Sequence, residues 1–212
     1  FFLGTFQMPA AVLQWCALWP LGSGAFMPWQ LVTYAFMHGG TAHLLFNLLF
    51  LWMFGSELER LWGRSRYLWF LLASAAAAAV AQLIVTTAMG STHPTVGASG
   101  AVYGLLLAYA LAFPYRQFDL IGFVPMLMLM LPSPTLNLLG ALLYVMLMTN
   151  RQAVPVPPVM VRAGVMVGIL IGIELLFGLF VHTGVAHFAH LGGMAGGWLM
   201  LKYWRGHRGR RR

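Results

Sequence analysis

Apolar runs of near bilayer-spanning length, separated by polar, aromatic or basic connections, leave this chain few ways to fold. A stretch of about 20 apolar residues crosses a hydrocarbon core of about 30 Å only as a helix, because every backbone N–H and C=O must be satisfied within the segment. Such runs cover Phe1 to about Leu18, Ala42 to Leu58, Tyr67 to Met89 and Val159 to Val181. With 60% hydrophobic and 8% charged residues and a mean hydropathy of +0.80, the chain cannot cover itself with polar groups in water. It reads as an all-α, multi-pass membrane protein. The single cysteine, Cys16, excludes an intrachain disulfide. The chain opens at Phe1 already inside an apolar run and is read as a piece of a longer protein rather than as a signal peptide.

The basic residues set the expected topology. Arg60, Arg64 and Arg66 follow the second run, Arg116, Arg151 and Arg162 flank a proline-broken segment, and Lys202, Arg205, Arg208, Arg210, Arg211 and Arg212 end the chain, which accounts for all 12 cations. Under the positive-inside rule these connections are cytoplasmic, and the uncharged loops Trp19 to Thr41, Gly90 to Ala98 and His182 to Ala186 face outside. Half of the cations sit in a short tail beside a membrane helix, where they would meet anionic headgroups; a nucleic-acid partner is not expected. The expected organisation is a transmembrane domain over 1–203 and a basic cytoplasmic tail over 204–212. Residues 118–150 are apolar but broken by Pro125 and Pro132-Ser133-Pro134, with a cation at each end. They are read as a hairpin inserted on the cytoplasmic side, between the fourth and fifth core helices.

Ser99 is the first candidate for chemistry. Gly97-Ala98-Ser99-Gly100 leads into an apolar helix expected from Ser99 to Phe113, and a serine there is ordinarily an N-cap. That helix spans roughly 22 Å, short of the hydrocarbon core, so with Arg116 at the inner interface Ser99 falls below the outer one. Its hydroxyl would sit beside the free N–H groups of a helix start, where a developing oxyanion can be held. His43 and Asn47 lie one turn apart on one helix face, and polar groups inside an apolar span are functional candidates. His187 and His190 share a face of the last helix and are followed by Gly193 and Gly197, a stripe matching Gly100 and Gly104 on the fourth helix. Small residues at that spacing let helices approach backbone to backbone. That contact would bring His190 over Ser99 as a nucleophile–base pair.

The string His38-Gly-Gly-Thr-Ala-His43-Leu-Leu-Phe-Asn47, then Gly97-Ala-Ser99-Gly100 with Tyr103, then Ala186-His187-Phe-Ala-His190-Leu-Gly-Gly193-Met-Ala-Gly-Gly197, resembles the rhomboid intramembrane serine proteases. The resemblance implies a six-helix transmembrane bundle with Ser99 as nucleophile and His190 as general base. It implies further that His43 and Asn47, with the Ser99 backbone N–H, form the oxyanion hole. Tyr103 would pack against the base, Gly97 would shape the loop for substrate approach, and His187 would support the site. The implied activity is endoproteolysis of substrate transmembrane segments near the outer leaflet, from a bacterial inner membrane, with the site open to the extracytoplasmic side. No metal or cofactor is implied.

This chain departs from the family pattern at two points. It has Trp29-Gln30 where the family shows Trp-Arg, and its Ser99-to-His190 spacing is lengthened by roughly Phe118 to Asn150. Other readings are weaker. His43, His187 and His190 as metal ligands have no nearby Cys, Asp or Glu to complete a site, and an HExxH helix is absent. The Gly97–Ala101 stretch lacks the last glycine and the preceding strand of a hydrolase elbow. A catalytically silent relative that binds membrane segments is the main alternative. Of the four carboxylates, Glu57, Glu59 and Asp119 fall toward the cytoplasmic side, and Glu174, mid-helix, is expected to hold a hydrogen bond within the bundle, leaving a Ser-His dyad.

Overall fold

The computed structural model describes residues 9–125, 128, 134–153, 155–180 and 186–209. Helix α1 covers Ala10–Cys16, and the first loop coils through a turn at Leu21–Ser23, a short helix α2 at Gln30–Thr33 and a further turn at Tyr34–Phe36. Helix α3 (Thr41–Phe50) passes through a π turn at Leu51–Gly55 into α4 (Ser56–Trp62). Gly63, at φ 81°, then reverses the chain into α5 (Arg64–Ala88). The remaining elements are α6 (Ser99–Ala112), β1 (Gln117–Asp119), α7 (Pro134–Thr149), β2 (Met160–Arg162), α8 (Ala163–Phe180) and α9 (His187–Gly209). Among the described residues α5 and α8 are long and apolar enough to cross a membrane.

Helix α6 lies at the centre, packed by α5, α8, α9 and the π turn. Its Val102, Leu105, Leu106 and Tyr109 are buried with Phe54, Leu58, Phe70, Met166, Val167 and Met194. The glycine stripes meet: a Cβ on Gly193 would collide with the Gly100 carbonyl, and one on Gly197 would come 3.2 Å from Gly104 Cα. The alanine run of α5 seals the other side, Gly192 and Gly196 lying against Ala81 and Ala77. Only residues without side-chain bulk permit this spacing, which sets the ends of α6 and α9 side by side.

The connection between α6 and α8 differs from its sequence reading. Met160–Arg162, read as the start of a helix, is a strand that pairs antiparallel with β1 in the register Gln117↔Arg162, Phe118↔Val161, Asp119↔Met160. Arg151 donates to Asp119 at 2.9 Å, and Asp119 also accepts from the Ile121 and Val159 N–H groups. The excursion between α6 and α8 therefore leaves and returns at one point, closed by a ladder whose Phe118 and Asp119 lie inside the 118–150 boundary and whose Gln117 and Met160–Arg162 lie outside it. The physical reason is local: Gln117, Phe118, Val161 and Arg162 carry strand-compatible side chains, and each strand supplies the other's backbone partners. The hairpin turn expected at Pro132-Ser133-Pro134 lies outside the described residues except for Pro134, which opens α7. Helix α9 continues to Gly209, past the expected end near Tyr203. Residues 1–8 of the first run, the loop 182–185 and Arg210 to Arg212 lie outside the described residues.

Candidate active site

The loop before α6 is built around Gly97, whose φ of 125° is a conformation that a side chain rarely adopts. A Cβ there would also come 2.7 Å from His43 Cε1 and 3.7 Å from Ser99 Oγ, so the glycine leaves the room in which the His43 imidazole and the Ser99 hydroxyl face each other. The Gly97 N–H donates to the Tyr34 carbonyl at 3.0 Å, and the Tyr34 hydroxyl donates to the Ala75 carbonyl at 2.8 Å. Burial pushes the Tyr34 hydroxyl well above its ordinary range, so it remains a donor. The first loop, the Ser99 loop and α5 are thereby tied together.

His190 Nε2 lies 2.8 Å from Ser99 Oγ. This is hydrogen-bond distance between a serine hydroxyl and an imidazole 91 residues along the chain, both at the starts of helices joined by the glycine seam. The imidazole is 6% exposed. Tyr103, one turn along α6 from Ser99, stacks on it in parallel. Asn47, four residues after His43 on α3, is buried, and its Nδ2 has no hydrogen-bond partner among the described residues. A buried amide donor without a partner costs on the order of 1–3 kcal/mol. His38 stands edge-on to His43 with ring centroids 5.1 Å apart. Burial lowers the His38 pKa below its ordinary value, against a raising hydrogen bond at the Phe36 backbone.

His187 lies on the far side of His190 from the serine. Its Nδ1 is 2.6 Å from Glu174 Oε2, while His190 Nδ1 is 2.9 Å from Glu174 Oε1. The second contact is close but falls outside good hydrogen-bond geometry. The Tyr103 hydroxyl engages the same carboxylate. Glu174, 4% exposed, therefore meets His187 and His190 as well as the residue that stacks on His190. Its donors and those of the two histidines lie within 4.8 Å of one another, a set that could hold a metal ion, in which Glu174 stands where the sequence reading had His43. Sequence reasoning foresaw a bundle hydrogen bond for Glu174 but not its partner. The signal that faces it inward is the spacing Met166, Leu170, Glu174 on one side of α8.

A second residue was undervalued in the sequence. Gln30 is fully buried, and its Oε1 accepts from the N–H groups of Met27 at 3.1 Å and Trp19 at 3.3 Å. Its Nε2 donates to the carbonyls of Ala25 and Gln14 at 3.1 and 3.3 Å. Where the family pattern has an arginine, the amide satisfies donors and an acceptor of the loop and a carbonyl of α1 without a charge.

Residues 25–143, more than half of the chain, match the family model described as the Rhomboid domain. The chain belongs to the rhomboid family. It is 30% identical over 169 residues to the rhomboid protease GluP of Bacillus subtilis (strain 168), an alignment covering 80% of this chain and 24% of the relative. It is 38% identical over 96 residues to the putative rhomboid protease YdcA of the same organism, covering 44% of this chain and 45% of that protein. It is 34% identical over 97 residues to the rhomboid protease GlpG of Yersinia pestis (strain Pestoides F), covering 45% of this chain and 33% of the relative. The rhomboid chain described here thus spans less than half the length of each of these relatives.

Proposed function

We propose that this rhomboid chain is an intramembrane serine endopeptidase that cleaves substrate transmembrane segments near the outer leaflet. The observation that carries the reading is the 2.8 Å contact between His190 Nε2 and Ser99 Oγ. In this mechanism Ser99 Oγ bonds to the scissile carbonyl carbon while His190 Nε2 accepts the hydroxyl proton. The carbonyl electron pair becomes an oxyanion that receives hydrogen bonds from the Ser99 N–H, His43 and Asn47. Collapse breaks the C–N bond, and His190 returns the proton to the leaving nitrogen. Water, deprotonated by His190 Nε2, then adds to the acyl carbon; the bond from that carbon to Ser99 Oγ breaks, the acid product leaves, and His190 Nε2 returns the proton to Ser99 Oγ. Asn47 Nδ2, without a hydrogen-bond partner among the described residues, supports an oxyanion role, since a substrate oxygen would satisfy it.

The membrane reading includes a six-helix bundle, the proline-broken insertion on the cytoplasmic side, the Ser99 mouth toward the extracytoplasmic side and the basic tail against anionic headgroups. It is supported by the large apolar side chains left on the outside, among them Trp15, Leu48, Trp52, Ile84, Leu142 and Phe180. The test is cleavage of a single-span reporter by purified protein in liposomes, with labelling by a fluorophosphonate. Wild type should cleave and label, and Ser99→Ala should do neither. Wild type and Ser99→Ala that are equally inert yet retain the reporter would instead identify a silent binding protein.

A further inference from the structure

We propose that Glu174 is a positioning residue that converts the Ser99–His190 pair into a three-member assembly, by fixing which nitrogen of His190 carries the proton. This rests on the serine-protease reading above.

An ionised carboxylate only accepts hydrogen bonds. With Glu174 Oε1 2.9 Å from His190 Nδ1, the arrangement that satisfies both is Nδ1 protonated. Nε2 is then the bare nitrogen, and Nε2 is the atom 2.8 Å from Ser99 Oγ. The other tautomer would set a lone pair against the carboxylate and an N–H against the serine hydroxyl, with no base for the first step. When Nε2 takes the serine proton, Glu174 stays ionised and faces the imidazolium, releasing nothing and receiving nothing. The imperfect alignment at Nδ1 is of the kind that tightens once substrate is bound.

The surroundings hold this carboxylate in place. His187 Nδ1, at 2.6 Å, occupies Oε2, which leaves Oε1 for His190. The Tyr103 hydroxyl engages the carboxylate while the Tyr103 ring stacks on His190, so base and carboxylate share a second anchor. The spacing favours a hydrogen-bonded assembly over a metal centre. Ligands of one tetrahedral zinc at about 2.0–2.1 Å stand about 3.3 Å apart. The 2.6 and 2.9 Å contacts here are donor–acceptor distances.

The experiment compares wild type, Ser99→Ala, Glu174→Gln and Glu174→Asp in one detergent, measuring kcat and KM on the reporter, melting temperature, and the His190 tautomer by ¹⁵N NMR. For Glu174→Gln the expected result is a fall in kcat of about 10²- to 10⁴-fold with KM within a fewfold and the melting temperature largely kept. Glu174→Asp should recover at least tenfold of that loss. His190 should be protonated at Nδ1 in wild type and in Ser99→Ala, and mixed in Glu174→Gln. A folded Glu174→Gln with wild-type kcat, or a His190 protonated at Nε2 in wild type, overturns the proposal. So does activity that is lost to EDTA and restored by zinc. If wild type itself neither cleaves nor labels, the protease reading fails, and the tautomer measurement still decides what Glu174 does.

Discussion

The Tyr103 ring lies parallel to the His190 imidazole, with centroids 4.1 Å apart and planes 4° from coplanar. Stacking of this kind restricts the tilt of an imidazole that a single hydrogen bond would leave free to swing. Tyr103→Phe keeps the stack and loses the hydroxyl; its cleavage rate should fall no more than about tenfold. Tyr103→Ala removes the platform, and a displacement near 1 Å at a reacting nitrogen is worth about 10²-fold. Steady-state rates on the reporter separate the two.

Gly193 has no room for a side chain, because its Cβ position is filled by the Gly100 carbonyl. Gly193→Ala must part α6 from α9 and should destabilise by about 1–3 kcal/mol, with activity falling further as Ser99 and His190 separate. Gly168→Ala on α8 is the control. None of the described residues lies within 4 Å of its Cβ position, and its stability change should stay under about 1 kcal/mol. Thermal unfolding in a single detergent reads both.

Gln30 joins both ends of its amide to backbone groups of one loop while fully buried. Gln30→Ala strands those groups, and about 1–3 kcal/mol of stability should be lost. Gln30→Arg should be recovered less well than wild type, because this pocket has accepting carbonyls but also N–H donors that an arginine cannot satisfy. Melting temperature and hydrogen exchange across residues 14–30 measure the effect.

Gly97→Ala combines backbone strain with a Cβ 2.7 Å from His43. A left-handed conformation costs a side chain about 1–2 kcal/mol, so the protein should fold but lose most of its reporter cleavage as His43 is pushed aside. Fluorophosphonate labelling that matched wild type would show that the loop can adapt.

The ribbon that closes the excursion between α6 and α8 depends on Asp119. Burial raises this carboxyl, but Arg151 and the N–H groups of Ile121 and Val159 outweigh it and hold it below its ordinary value of 3.8. A depressed pKa contributes stability that is present above the unfolded value and lost as pH falls through the folded one. Exchange protection over residues 117–119 and 160–162 should therefore be steady from about pH 5 to pH 8 and decline only below about pH 4. Asp119→Asn should lower it at every pH in that range. Excising 121–158 with the ladder rejoined by a tight turn should leave fluorophosphonate labelling intact.

Much of this molecule is written in local pattern. Apolar run lengths determined the helices, the distribution of cations gave an orientation to test, and the four-residue spacing of Gly100, Gly104, Gly193 and Gly197 announced a seam, because in a helix those intervals place residues on one face. The same periodicity put His43 with Asn47 and His187 with His190. Tertiary structure alone decided what each face meets. Glu174 of α8 reaches His190 of α9, Gln30 satisfies a loop whose coiling no periodicity specifies, and β1 finds β2 across 40 residues of excursion. Spacing along one helix fixes direction only relative to that helix. The partner on the next is settled by how closely the two backbones can pack.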